Sequence, residues 1–208
     1  MMIEKLHWLG HSSFRIQGDV VIYIDPWKIA SRALSADIVL VTHSHYDHLS
    51  REDIDRVKAS HTEILIPQTC HSTFGEDVKT ISPGETTTIK GIKIEAVPAY
   101  NIESGFHPEV NEWVGYVIHL PEGIIYHGGD TDFIPEMNSL NVDIALLPIG
   151  GIFTMTAEQA VEAAVAVNAK IAVPIHWGDV SGNRASAERF VELAKAKGID
   201  GRIMDQER

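Results

Sequence analysis

A single cysteine, Cys70, stands in the 208 residues, so no disulfide can close within the chain. A lone thiol fits a reducing compartment, and a cytoplasmic location is the expectation. No apolar run approaches the roughly 18 residues a membrane helix needs, so no membrane role is expected. The opening run Met1-Met2-Ile3-Glu4-Lys5-Leu6-His7-Trp8 has no apolar signal core, and no secretion signal is read there. Basic charge is scarce: 17 Lys and Arg stand against 29 Asp and Glu, a net charge of −12 with His neutral. A field of that sign repels a polyanion, which disfavours nucleic acid as a partner. The densest basic stretch, Lys195 to Lys197, reads as an ordinary helix face. Low-complexity segments, linkers and short-period repeats are lacking as well. One domain over residues 1–208, or one made of two similar halves, is expected.

What the chain does have is short Val- and Ile-rich runs alternating with helical patterns, the mark of an α/β architecture. Residues 3–8, 13–17 and 20–24 read as strands, with Gly18-Asp19 as a hairpin turn. Residues 37–42 read as a buried strand, and Ser50 as the cap of a helix over 51–59. Further strands are expected at 63–66, 78–81, 86–90, 92–97, 114–120, 123–127, 143–147 and 171–175. Thr156 and Gln159 form a capping box for a helix reaching about 168. Ser186 reads as the cap of a last helix ending near Gly198, and 202–204 as a closing strand. Strands followed by a strand–helix unit occur twice, so two halves can pack sheet against sheet with helices outside.

The chain also has 11 histidines, and their placement is informative. Val20–Ile24 runs into Asp25-Pro26, Ile38–Val41 into Thr42-His43, Ile124–Tyr126 into His127-Gly128-Gly129-Asp130, and Ile171–Ile175 into His176-Trp177-Gly178. Ligands of α/β proteins gather at the carboxyl ends of strands, so these polar ends predict one shared site. Polar loops follow strands in many proteins, but that alone does not select His and Asp.

The densest cluster is His43-Ser44-His45-Tyr46-Asp47-His48. In extended chain, residues i and i+2 face the same side, which lets His43 and His45 grip one ion. A bend toward Ser50 then turns Asp47 and His48 to the same cavity from another angle. Imidazole and carboxylate donors suit zinc, with manganese, iron and nickel as alternatives. Four such donors are too many for one open tetrahedral site and predict two adjacent ions. Asp130 is the natural bridge and His176 a natural late ligand.

These residues carry a family resemblance. His43-Ser44-His45-Tyr46-Asp47-His48 resembles the H-x-H-x-D-H signature of the metallo-β-lactamase superfamily. Gly128-Gly129-Asp130-Thr131-Asp132 resembles its later G-D-T motif, and Pro174-Ile175-His176-Trp177-Gly178 its final histidine motif. Trp8-Leu9-Gly10-His11-Ser12-Ser13-Phe14 and Ile24-Asp25-Pro26 resemble the branch holding ascorbate-6-phosphate lactonase-like and other metal-dependent hydrolases. The resemblance implies a four-layer αββα sandwich with metals at one edge. It implies His43 and His45 on a first ion, Asp47, His48 and His176 on a second, and Asp130 between them. Asp25 would orient a ligand. The family usually supplies a third histidine to the first ion after a central strand. Here that strand, Ile92–Val97, leads to Pro98-Ala99-Tyr100-Asn101, and His107 or His11 is the candidate substitute.

The chemistry so implied is metal-dependent hydrolysis, with Asp47, His48 and Asp130 acting in the reaction as well as in binding. A divalent ion lowers the pKa of water toward about 7 and supplies hydroxide for attack on a small-molecule ester, lactone or phosphodiester. The resemblance favours a lactone or a phosphorylated small molecule. Two other classes stand beside it: a non-catalytic metal or ligand sensor, and a di-iron oxidoreductase relative, which carries Glu where this chain has His45. By resemblance, a homo-oligomer is compatible. Asp132 reads either as a contact to the site or as the cap of a short helix from Phe133. Trp177 and Tyr100 read as pocket walls or as packing residues. His7, His61, His71, His119 and His127 carry no such context and read as structural.

Overall fold

The computed structural model describes residues 2–75 and 77–207. A first sheet holds β1 (Leu6–Gly10), β2 (Ser13–Gln17), β3 (Val21–Ile24), β4 (Ile38–Leu40), β5 (Glu63–Pro67) and β6 (Lys79–Ile81), side by side in that order. A second holds β7 (Thr86–Ile89), β8 (Ile92–Pro98), β9 (Val114–Leu120), β10 (Gly123–His127), β11 (Ile144–Pro148), β12 (Ile171–Ile175) and β13 (Asp200–Gly201). Both sheets follow one plan. Hairpin-joined strands pair antiparallel through β3 and through β10, and parallel strands follow.

Strand alternation sorts the first sheet's side chains between two cores. Phe14, Ile16, Ile22, Ile24, Ile38 and Leu40 face the second sheet and join its Ile94, Tyr116, Ile118 and Leu146. Tyr23, Val39, Val41, Ile64 and Ile66 point the other way. They pack under Ile54 and Val57 of α1 (Arg51–Val57) and Phe74 of α2 (His71–Phe74). The second sheet is covered by α3 (Ala157–Ala166) and α4 (Arg184–Ala196), whose Ala160, Ala164, Ala187 and Phe190 belong to the larger core. The result is the expected four-layer αββα sandwich.

Several element boundaries differ from the sequence reading, among them the strand read as 37–42, which is Ile38–Leu40, and four more have a clear physical reason. The first strand begins at Leu6, and Met2–Lys5 forms a 3-10 turn. Ile3 and Leu6 are one helical turn apart, and period-two alternation starts only at Leu6. Helix α1 ends at Val57, because Lys58 is already extended. The cap of α4 is Asn183, not Ser186: Asn183 Oδ1 accepts from the Ser186 amide at 3.0 Å, and Ser186 is the donor end of that bond. The closing strand is Asp200–Gly201 rather than 202–204. After the bond from Arg202 N to Ala172 O, the tail leaves this sheet and crosses to the first one. There Gln206 bridges Trp8, and the Glu207 carboxylate meets Arg15 and His7.

Candidate metal centre

The parallel strands β3, β4, β10, β11 and β12 end on one rim, and the polar residues that follow them converge there. The backbone at this rim is unusual. His11, Asp25 and His176 adopt φ of 52°, 46° and 56°. The left-handed region costs a residue with a side chain roughly 1–2 kcal/mol. His11 is pinned there because its carbonyl accepts from His176 N at 3.1 Å and from Trp8 Nε1 at 3.0 Å. Asp25 N donates to Leu40 O at 2.9 Å.

All eight sequence-designated ligands come together, in two groups. His43, His45, His107 and Asp130 form one, and His11, Asp47, His48 and His176 the other. Within each group the ligand atoms lie within 4.8 Å of one another. The run 43–48 divides between them because the chain turns after His45, whose carbonyl accepts from His48 N at 3.0 Å and Leu49 N at 2.8 Å. Asp130 stands between the groups. Its Oδ2 is 3.2 Å from His107 Nε2 and 2.9 Å from His176 Nε2, and its Oδ1 is 3.4 Å from His48 Nε2. His107 therefore occupies the place left open after Ala99. His11 does not substitute there. It lies in the second group, its Nε2 3.0 Å from Asp47 Oδ2, because its backbone is tied to the end of β12.

The donor set fits divalent ions. His48 Nε2, His107 Nε2 and Asp130 Oδ1 are buried without a hydrogen-bond partner among the described residues. Buried polar atoms left so are costly unless something else satisfies them. Two donors on one tetrahedral ion, each at about 2.1 Å, lie about 3.4 Å apart. His43 Nε2 and His45 Nδ1 are 3.1 Å apart.

Four of the six histidine rings, those of His43, His48, His107 and His176, have a partner on Nδ1 of the kind that aims metal-binding histidines. Asp25 Oδ2 accepts from His48 Nδ1 at 2.7 Å, as the family resemblance implies. Thr42 Oγ1 donates to Asp25 Oδ2 at 2.6 Å and is 3.0 Å from His43 Nδ1. Ser181 Oγ lies 3.2 Å from His176 Nδ1. Asn101 Oδ1 is 2.9 Å from His107 Nδ1 and also accepts from His107 N at 3.0 Å. Asn101 Nδ2 donates to Asp132 Oδ1 and to Phe153 O, both at 3.0 Å. Asp132 thus neither reaches the ligand groups nor caps a helix. It holds the 101–107 loop, also accepting from Ile102 N at 2.8 Å. Trp113, absent from the sequence reading, packs against the rings of His43, His45 and His107. Of the two aromatics read as walls or packing, Trp177 is buried, stacks on Trp8 and bonds Pro174 O, while Tyr100 reaches Glu136. His127 ties β10 to the 11–12 turn through Ser12 O at 2.9 Å.

The electrostatics of the metal-free groups suit metal binding. Burial, then the neighbouring His48, holds His43 well below the ordinary imidazole value. Burial likewise lowers His11 and His45, which keeps lone pairs available at neutral pH. Burial works against the Asp130 carboxylate, yet His176 and His48 hold it well below its usual value. Asp47 is lowered too, with burial opposed by His11 and His48. His48 runs the other way: burial opposes its charge, but Asp130 and Asp25 raise it well above the ordinary value.

Above these groups opens a cavity of about 200 Å³, whose remaining walls are Tyr46, Phe106, Phe153 and Val180. Among the described residues, no helix is long and apolar enough to cross a membrane.

Known proteins resemble this chain in sequence and in fold. The beta-lactamase superfamily domain matches residues 5–176. A UPF0173 metal-dependent hydrolase of Thermoplasma volcanium is 36% identical over 95% of this chain and 94% of its own length. One from Thermococcus onnurineus is 33% identical over 93% of each. A solved structure from Parabacteroides distasonis is similar at TM-score 0.88 and 35% identity, covering 97% of this chain and 93% of its own. Igni18, a metallo hydrolase of Ignicoccus hospitalis, is similar at TM-score 0.81 and 26% identity, covering 98% and 95%. The chain therefore belongs to the beta-lactamase superfamily, among the UPF0173 metal-dependent hydrolases.

Proposed function

We propose that the protein hydrolyses a small-molecule ester, lactone or phosphodiester with two divalent ions, zinc being the best match to the donors. The observation that carries the reading is the pair of ligand groups joined through Asp130. His43, His45 and His107 would hold the first ion, and His11, Asp47, His48 and His176 the second, with Asp130 shared. When bound, such ions acidify water and polarise the electrophile.

The chain's own residues contribute the rest. Asp47 lines the cavity and is kept ionised by His11 and His48, so its carboxylate can take the proton of an attacking water. His48 is fixed through Nδ1 by Asp25, leaving Nε2 toward the centre. Asp130 keeps its charge between the groups and holds their spacing. The apolar walls keep bulk water off the reacting bond.

Metal analysis after purification, with a panel of esters, lactones and phosphodiesters assayed with zinc, manganese and nickel, tests this. Two ions per chain and a loss of about 10³-fold or more in turnover for Asp47→Ala are expected. Metal binding without turnover on any substrate would make the protein a sensor instead.

A further inference from the structure

Four loops line the mouth of the cavity, and apolar side chains of those loops stand open to solvent. Tyr46 is 68% exposed, Phe106 49% and Val180 37%. Ile102 at 60% and Ile152 at 68% extend the same loops outward. Phe106 and Phe153 meet edge to face at 4.7 Å, which builds one continuous wall from two loops. Large apolar residues gathered at one place on a soluble surface mark a binding site.

The same mouth is short of cations. No Lys or Arg lines the cavity among the described residues. The Lys28 ammonium, over the ring of Trp27 beyond Tyr46, is already paired with Asp179 at 2.5 Å. Sites that take phosphorylated or carboxylated molecules present Arg or Lys to the charge that does not react. Here the non-reacting part of a substrate meets only hydrocarbon and aromatic edges. The cavity of about 200 Å³ opens to solvent past Tyr46, Phe106 and Val180.

We infer that the substrate is an uncharged ester or lactone whose acyl group is apolar, seated between Phe106, Phe153 and Val180. This deepens the hydrolase reading and rests on it. Hydrolysis breaks the acyl C–O bond, joins the water oxygen to the acyl carbon and returns the proton to the departing alcohol. Phosphorylated sugars, nucleotides and coenzyme A thioesters are disfavoured, because their charges find no partner at the mouth.

Methyl esters followed by proton release on the zinc-loaded protein test the inference, since methanol as leaving group adds no apolar surface of its own. Methyl pentanoate and monomethyl succinate are close in size but differ by a carboxylate. The expected kcat/KM is at least about 30-fold higher for the pentanoate. Each buried methylene contributes about fourfold, so methyl pentanoate should exceed methyl acetate by at least about tenfold. The double variant Phe106→Ser, Phe153→Ser should remove most of that advantage, bringing the ratio of methyl pentanoate to methyl acetate toward one. Val180→Lys should raise monomethyl succinate relative to methyl pentanoate. Equal or better turnover of monomethyl succinate, or bis-p-nitrophenyl phosphate turned over with no ester cleaved, would overturn the substrate class while leaving hydrolysis standing. Should no compound be turned over, the hydrolase reading fails by itself. Calorimetric binding of phenylacetone against phenyl phosphate then decides: tighter phenylacetone binding, lost in the double variant, upholds the apolar site, and tighter phenyl phosphate binding refutes it.

Discussion

Replacing Asn101 by alanine should weaken one metal site far more than the other. The Asn101 side chain is buried and satisfied on both ends. Its Oδ1 accepts from His107 N and Ser104 Oγ and sits 2.9 Å from His107 Nδ1, while its Nδ2 holds Asp132 and Phe153 O. Alanine removes the aim of the His107 ring and the tie that folds residues 101–107 back over the site. Loss of such an orienting partner typically costs 10–100-fold in metal affinity, or about 1.4–2.7 kcal/mol. The cost should fall on the group containing His43, His45 and His107. The group of His11, Asp47, His48 and His176 is oriented by Asp25 and Ser181 and should lose less than about threefold. Competition against a chelator of known affinity resolves the two steps, and His107→Ala sets the upper limit of the effect. Equal weakening of both sites, or wild-type affinity at both, would show that Asn101 does not position His107.

Asp25→Ala removes the acceptor of Thr42 N, Thr42 Oγ1 and His48 Nδ1 and should destabilise the metal-free protein by about 3–5 kcal/mol; an unchanged urea midpoint would refute that pairing. Zinc binding should release protons near neutral pH, because Asp130 and Asp25 raise His48 well above the ordinary imidazole value and a protonated ring must lose its proton to become a ligand. Calorimetry in buffers of different ionisation enthalpy reads this, and the release should fade as pH rises above the folded value of His48. In the metal-free protein His48 has a folded value above its unfolded one, so its contribution to stability is full below about pH 6.5 and is lost as pH rises through the folded value. Asp130 has the opposite sign: its contribution stands above about pH 4 and is lost as pH falls through its lowered value, which acid titration of unfolding monitors. Deleting Gln206 through Arg208 should cost about 1–3 kcal/mol, because buried Arg15 loses Glu207 and the edge of β1 loses its bridge.

Much of the site is legible in the chain because four of its eight candidate ligands are compressed into 43–48, and His11, Asp130 and His176 follow strands. The strands themselves are legible too, because runs such as Ile38–Leu40 and Ile171–Ile175 are short, apolar and rich in Ile and Val, but their order within the sheets is not. The second-nearest layer is not. Asn101, Thr42 and Ser181 are common polar residues whose roles exist only once distant segments meet. The assignment of His107 over His11 depends on where β12 pins the backbone of His11, which no spacing reveals. Phe106, Phe153 and Val180 come from separate loops, so their shared wall has no local pattern. At the ends of elements, period-two and helical patterns overlap, and Met2–Lys5 and Asn183 fell to the competing local signal.

The positive φ angles at His11, Asp25 and His176 bear on how long the protein lasts. Three left-handed residues together hold roughly 3–6 kcal/mol of backbone strain, which only the folded state carries. Ligand binding to that state alone offsets it by mass action. A newly made chain short of metal keeps the strain uncompensated and spends more time unfolded, about tenfold more for each 1.4 kcal/mol, where proteases reach it. Metal supply would then govern the abundance of this protein as well as its turnover, and starved cells would clear it rather than store it idle.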